Sequence, residues 1–599
     1  MSKETDKDVN GTTAMFEIDE VDEKSEMLVE PEIENKAEKY LIYGINDSPP
    51  IYVTIICALQ QSLLALSGQL ITSLLVAEAV CASDNNVFKA RLLSSTLFMS
   101  GVTTVAMNLF GIRLPLYQGA SASYIIPLLL VANTDGNFCS GDTVPENPLF
   151  NATDNTTSRE FPMEKIISNV QALQGSLMIA GLIHALFGFT GIVGLLLKFV
   201  GPLTIVPALV LIFIFLVQPV LKFVVVSWAI SMSTVAVAVV LFLYLAKYDM
   251  PVPVWTPSGG YRIIRYPLHQ VFAILISIII NWAICGILTR FDVFPNDPSH
   301  TSYRARTDAR ADVIDNNPWF TVPYPGQYGP FGFSASAFLS FMIATFMSIL
   351  DSIGDYYACA KVTRVPAPPK HAVNRGILIE GICSFLSGAV GCGHATSTYG
   401  GSIGAIGVTK VASRRVLVFT GIIYILFGIF GKFSAVFITI PYPVLGGAIV
   451  VMFGIFFGVI LSNLEVTNMS SPRNMAIIGL SIFIGLSVPT WAQKEDSPIK
   501  TGHEQFDRIM SMLLGNPNLT GTIIACFLDN TVPGSLEDRG IATWQVSDAD
   551  EDAVIDMSRY NEGYEVYNPL LPQRIRSLKI MKYIPFLPHT RTKSVVNGV

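Results

Sequence analysis

Apolar residues in this chain run in near-continuous blocks, separated by short polar or Pro/Gly-rich breaks, and not at the alternating spacing of a half-buried strand. The blocks lie near 51–77, 91–110, 115–132, 171–197, 201–220, 226–246, 270–289, 333–352, 375–391, 395–408, 416–431, 433–460, 474–490 and 508–527. Most approach the roughly 17 to 25 residues that a hydrocarbon slab selects. The pattern predicts about 14 membrane spans. Of the 599 residues, 51% are hydrophobic and 14% charged, more apolar surface than a soluble domain of that size can hide. Lipid is the expected solvent for most of the chain.

Charge gives the blocks a direction. If the amino terminus is cytoplasmic, most basic residues fall in inside loops, notably Lys361, Arg364, Lys370, Arg375, Lys410, Arg414 and Arg415. This is the positive-inside pattern, and Lys89 and Arg91 run against it. Both termini are then expected in the cytoplasm. Residues 1–47 are acid-rich and read as a solvated tail, with no cleavable leader before the first apolar block; residues 529–599 form a second tail. Two long loops, 133–168 and 290–331, are predicted outside. The first carries acceptor sequons at Asn151 and Asn155. Cys81 and Cys139 follow the first and third blocks on that same predicted outer side, where a disulfide can persist.

Two blocks break the rule. Gly119-Ala-Ser-Ala-Ser-Tyr124 and Gly391-Cys-Gly-His-Ala-Thr-Ser-Thr-Tyr-Gly-Gly-Ser-Ile-Gly404 are too short, small and polar for ordinary spans, and they hold corresponding places in two halves of seven. Interrupted segments at matching positions point to a midplane binding site, because unwound backbone is tolerated there only where it lines a cavity. Helix packing through small residues uses the same residue types. The eighth block ends Ser348-Ile-Leu-Asp351-Ser-Ile-Gly-Asp355-Tyr-Tyr. An acidic group within a span costs roughly 2.5 to 3.5 kcal/mol on the lenient insertion scale. Here two share one helical face at i and i+4, so they repel unless a cation lies between them or one carries a proton. Asp355 is the candidate cation ligand, with Asp351 beside it. His394, in the glycine-rich break, could donate to a solute. No phosphate-binding loop, metal-type Cys/His cluster, GxSxG elbow or basic stripe for nucleic acid occurs in the sequence. No enzyme activity and no cofactor beyond a coupling ion are expected.

From about residue 48 to 545 the chain resembles the nucleobase/ascorbate transporters (nucleobase:cation symporter-2), in particular the animal sodium-dependent ascorbate (vitamin C) branch. The matching stretches are Gly111-Ile-Arg-Leu-Pro-Leu-Tyr-Gln118, Gly201-Pro-Leu-Thr-Ile-Val-Pro207, Ala305-Arg-Thr-Asp-Ala-Arg310, Ser352-Ile-Gly-Asp-Tyr-Tyr-Ala-Cys-Ala360, Asn374-Arg-Gly-Ile377, Glu380-Gly-Ile-Cys383 and Leu528-Asp-Asn-Thr-Val-Pro-Gly-Ser535. The resemblance implies an all-α polytopic fold of 14 spans in two inverted seven-span repeats, with short strands in spans 3 and 10. It implies a core domain (48–200 and 332–432), a gate domain (201–331, including loop 290–331, and 433–528), an elevator-like motion and a homodimer in the plasma membrane. Sodium is the implied coupling ion.

The family's solute-facing positions fall here on Gln61, Ala120, Ser121, Ala122, Asp351, Gly401 and Ser402. Several depart from the ascorbate pattern: Asp351 stands for a glutamate, Gln61 for a histidine, Ala120-Ser121-Ala122 for Ser-Ala-Phe, and Gly401 and Ser402 for the first two signature residues. The expected function is symport of a small polar or anionic, ascorbate-like solute. Alternatives are a nucleobase symporter (uracil, xanthine or urate) and a receptor-like member that no longer transports.

Overall fold

Local chemistry sets the helix ends. Asn85, Ser334 and Asn516 each accept a backbone N–H of the first turn that follows, at 2.9, 3.3 and 3.1 Å. Gly191 and Gly391 end two long helices in the left-handed conformation, at φ +76° and +86°. The computed structural model describes residues 41–83, 85–124, 128, 162–194, 199–248, 250–256, 260–266, 268–298, 300–492, 499–535, 538–540, 562–570 and 584–587. Residues 43–599 form one unit and 1–42 another, of which Leu41 and Ile42 are described. Most of the expected acidic tail, both sequon residues Asn151 and Asn155, and Cys139 lie outside the described residues. Cys81 is disulfide-bonded.

The main elements are α1 (Ile51–Ala79), α2 (Asn86–Leu109), β1 (Gln118–Ala120), α3 (Met163–Thr190), α4 (Pro202–Val224), α5 (Trp228–Val239), β2 (Met250–Thr256), β3 (Gly260–Tyr266), α6 (Ala273–Arg290), α7 (Ala335–Val362), α8 (Lys370–Val390), β4 (Thr396–Thr398), α9 (Gly401–Thr409), α10 (Arg414–Ile429), α11 (Gly431–Ile438), α12 (Tyr442–Ser462), α13 (Pro472–Ala492), α14 (Glu504–Leu514) and α15 (Pro517–Thr531). Among the described residues, nine helices are long and apolar enough to cross a membrane: α1 to α4, α6 to α8, α12 extended to Glu465, and α13. This is a multi-pass membrane architecture.

The structure departs from the block reading at three places. The twelfth block is two helices, α11 and α12, parted at Thr439-Ile-Pro441, because Pro441 has no N–H to continue the first helix. The fourteenth is likewise parted into α14 and α15 at Gly515-Asn516-Pro517. Residues 250–256 and 260–266, which lie between predicted spans, pair as the antiparallel strands β2 and β3. In the loop 290–331, Arg306 donates to both carboxylate oxygens of Asp308 at 2.9 and 2.8 Å, which holds that carboxyl below its usual range.

Helix contacts fall into two groups. The helices α3 and α8 pack along one another, as do α2 and α10, with α1 and α7 beside them; α4, α5, α6, α12, α13 and α15 pack mainly among themselves. The closest crossing is α3 on α8. A Cβ on Gly381 would stand 2.1 Å from the Ala185 backbone nitrogen, and one on Gly181 would stand 2.4 Å from that of Phe385. Only hydrogen at these positions lets the backbones meet.

The second tail is not simply solvated. Arg113, Arg375 and Arg414 donate to the consecutive carbonyls of Asn568, Tyr567 and Val566, and the Tyr567 hydroxyl donates to the Pro366 carbonyl at 2.6 Å. Val566 and Tyr567 are fully buried. Tyr567→Ala is expected to lower the thermal unfolding midpoint, since deleting a buried aromatic ring removes about 3 kcal/mol or more. Leu570→Ala, on an exposed neighbour, should leave the midpoint unchanged.

Candidate functional site

The two interrupted blocks meet. β1 and β4 pair antiparallel, Gln118 opposite Thr398, Gly119 opposite Ser397 and Ala120 opposite Thr396. Their outward backbone groups are anchored by side chains of the neighbouring helices. Gln69 Oε1 accepts from the Ala120 N–H at 3.1 Å and from Ser100 Oγ at 2.9 Å. Thr104 Oγ1 accepts from the Gln118 N–H at 3.0 Å. Every backbone group that leaves helical geometry at membrane depth needs such a partner.

Beside the strands lies a cavity lined by Ala120, Ser121, Asp351, Gly354, Asp355, Ser397 and Thr398, with Gly68, Ile71, Thr72, Tyr399 and Gly400. Its opposite wall comes from α4 and α12: Leu209, Ile212, Phe213, Met452, Phe453, Phe456, Val459 and Ile460, with Asn463 at one end. One wall is thus polar and acidic, the other almost wholly apolar. Asp351 and Asp355 are both partly exposed to this space. Asp355 lies under the first turn of α9, where a Cβ on Gly400 would come within 3.1 Å of its Oδ1. A helix amino terminus favours a carboxylate at that position. Ser121 Oγ, buried beside the cavity, has no hydrogen-bond partner among the described residues. Hard cations take carboxylate and hydroxyl oxygens, the donor types that Asp351, Asp355 and Ser121 carry around one cavity. Among the described residues, no group of three or more His, Cys, Asp or Glu is placed to hold a metal ion.

The other predicted residues are placed differently. His394 is fully buried, its Nε2 3.0 Å from Thr96 Oγ1 and its Nδ1 3.0 Å from the Ala395 carbonyl, and it does not line the cavity. Ser402 bonds the Tyr399 carbonyl at 2.9 Å and braces the strand end from behind. Gly401 lines a second, adjacent cavity with Gln60, Gln270, Met452 and Phe456. Gln61 is buried and lines neither cavity, and Ala122 begins the turn after β1.

Glu380 is the residue that reading the sequence for chemistry missed. It is fully buried on α8, and its Oε1 accepts from Tyr356 at 2.9 Å and from Thr398 Oγ1 at 2.8 Å; Thr398 in turn accepts from Gln118 Nε2 at 2.9 Å. One carboxylate therefore ties both strands to α7, one residue past Asp355. Its Oε2 faces His184 Nε2 at 4.0 Å, neither atom having a hydrogen-bond partner among the described residues. The Ala185–Gly381 backbone contact brings this pair together. The available signal was an acidic residue deep in an apolar block; it had been read only as part of a motif.

The family profile described as Permease family (Xan_ur_permease) matches residues 53–494. The chain belongs to this family. Curated relatives agree: Solute carrier family 23 member 2 of Mus musculus is 35% identical, over 92% of this chain and 82% of the relative. Solute carrier family 23 member 1 of Rattus norvegicus is 33% identical over 92% and 89%, and Nucleobase-ascorbate transporter 1 of Arabidopsis thaliana is 31% identical over 84% and 92%. Among solved structures, the transmembrane domain of the cyanobacterial bicarbonate transporter BicA aligns with a TM-score of 0.42 at 12% identity, covering 79% of this chain and 97% of that one. This permease is a multi-pass membrane transporter, and its polar cavity is the place to look for its cargo.

Proposed function

We propose that the protein is a sodium-coupled symporter of a small anionic organic solute of the ascorbate type. The observation that carries this reading is that Asp351 and Asp355 share one cavity with the paired strands. Side chains at i and i+4 stand roughly 6 Å apart, and two carboxylates at that distance repel by about 3 kcal/mol at an effective dielectric of ~20. The same field turns an anionic solute away. A sodium ion between them reverses the sign, so the ion binds first and the solute follows it. That order is coupling stated as electrostatics.

The asymmetry of the walls supports an elevator-like motion. Every polar lining residue except Asn463 comes from segments 48–200 and 332–432, while 201–331 and 433–528 supply a smooth apolar face. Two packed bodies can shear along such a face without breaking hydrogen bonds. The disulfide on Cys81 fits an oxidising outer side. A plasma-membrane homodimer with cytoplasmic termini, a Cys81–Cys139 bridge and glycosylation at Asn151 and Asn155 belong to the same reading. A second solute class, nucleobases, is favoured by Asp351 itself, an acceptor suited to ring N–H donors.

The test is uptake of radiolabelled ascorbate, urate, xanthine and uracil into cells expressing the chain, with sodium present or replaced by choline. The expected result is ascorbate uptake that falls to the level of control cells without sodium. Uptake indifferent to sodium, or uptake of none of the four, refutes the reading.

A further inference from the structure

Three cations converge on one phenol at the amino-terminal end of α12, roughly 15 Å along the helix from Met452, the first α12 residue that lines the solute cavity. The Arg310 guanidinium carbon stands 4.2 Å from the centroid of the Tyr442 ring, and that of Arg304 stands 5.8 Å from it. Lys89 Nζ lies 3.4 Å from the Tyr442 hydroxyl and 3.1 Å from Asn86 Oδ1. Lys89 and Arg310 are only 4% and 6% exposed, whereas Arg304 is exposed.

In the same loop, Asp292 and Asp308 pair with Arg306. Among the described residues Lys89, Arg304 and Arg310 form no ion pair. Arg310 spends Nη2 on the Ile440 carbonyl at 2.9 Å, and its buried Nη1 meets no acceptor among the described residues. Stacking on an aromatic ring offsets only part of the penalty of taking a guanidinium out of water beside a second buried cation. What remains is a set of donors, Arg310 Nη1–H, Lys89 Nζ–H and Tyr442 O–H, with Arg304 at the rim.

We propose that Lys89, Arg310, Tyr442 and Arg304 bind a small monovalent anion of halide or carboxylate size, separate from the solute cavity. The site joins α2, the loop 290–331 and α12, so a bound anion steadies the end of the molecule remote from Asn463. Chloride and a small carboxylate such as acetate share this chemistry.

The test is thermal unfolding of the purified full-length protein in lipid nanodiscs, at constant sodium and ionic strength. Chloride replaces a bulky sulfonate. The expected result is a saturable rise of roughly 3 °C or more, lost in Arg310→Gln and Lys89→Gln and weakened in Arg310→Lys. If Arg310→Gln does not fold, Arg304→Gln supplies the readout as a severalfold weaker chloride dependence. A rise with chloride alone identifies an inorganic anion. A rise only with acetate, absent with chloride, identifies a carboxylate. A wild-type protein indifferent to both, or a rise that Arg310→Gln and Lys89→Gln leave intact, overturns the assignment. Neither outcome depends on whether uptake is sodium-driven.

Discussion

If uptake is sodium-driven as proposed, Asp355→Asn is expected to abolish it while the protein still folds and reaches the membrane. The substitution keeps the side chain's size and its place beneath the α9 amino terminus, where Gly400 leaves room for it. It removes the charge that a bound cation would neutralise. Losing one partner of a buried charge pair costs about 2 to 5 kcal/mol, a factor of roughly 30 or more in cation affinity. Raising sodium concentration should therefore restore little uptake. The fold should be indifferent or slightly more stable, because the repulsion from Asp351 disappears with the charge. Sodium-dependent uptake by Asp355→Asn at the wild-type level, measured at matched surface abundance, would remove Asp355 from the cation site. Asp351→Asn is expected to raise the solute concentration for half-maximal uptake more than the sodium concentration.

Gly381→Val should leave almost no folded protein. A Cβ there would lie 2.1 Å from Ala185 N and 2.5 Å from Ala185 Cα, both backbone atoms that cannot rotate away. To admit it, α3 and α8 must separate, and the Glu380 bonds to Tyr356 and Thr398 lengthen with them. Overpacking costs typically 1 to 3 kcal/mol, and a weakened bond to a charged group adds about 1.5 to 3 kcal/mol. The sum is comparable to the 5 to 15 kcal/mol that separates folded from unfolded chains. Yield of monodisperse protein after detergent extraction is the readout. A wild-type yield and unfolding midpoint would mean that the helices do not touch there. Gly404→Ala is the control, since a Cβ at Gly404 meets nothing within 4 Å.

Much of the site was legible because lipid makes polar groups conspicuous. Asp351 and Asp355 stood out as charges in an apolar block, and the third and tenth blocks stood out as runs that no stable span would tolerate. Both expectations met at one cavity. His394 stood out on the same grounds yet packs against Thr96 away from the cavity. A polar residue in an apolar block shows that it needs a partner and leaves open whether that partner is solute or protein. Glu380 shows the reverse case, for its partners Tyr356 and Thr398 come from a helix and a strand that only packing brings together. The breaks at Pro441 and Pro517 were written in the chain but were smoothed over by the hydropathy on either side.

The sequence by itself determined that the chain lives in a bilayer and which acidic residues lie within apolar segments, because transfer into hydrocarbon is a property of each segment alone. The pairing of β1 with β4, the closeness of α3 to α8, the carboxylate of Glu380 beneath the strands and the cations around Tyr442 were decided by tertiary structure. Each of those joins residues tens or hundreds of positions apart, and the interactions that hold them are short-ranged, so they exist only once the helices have packed.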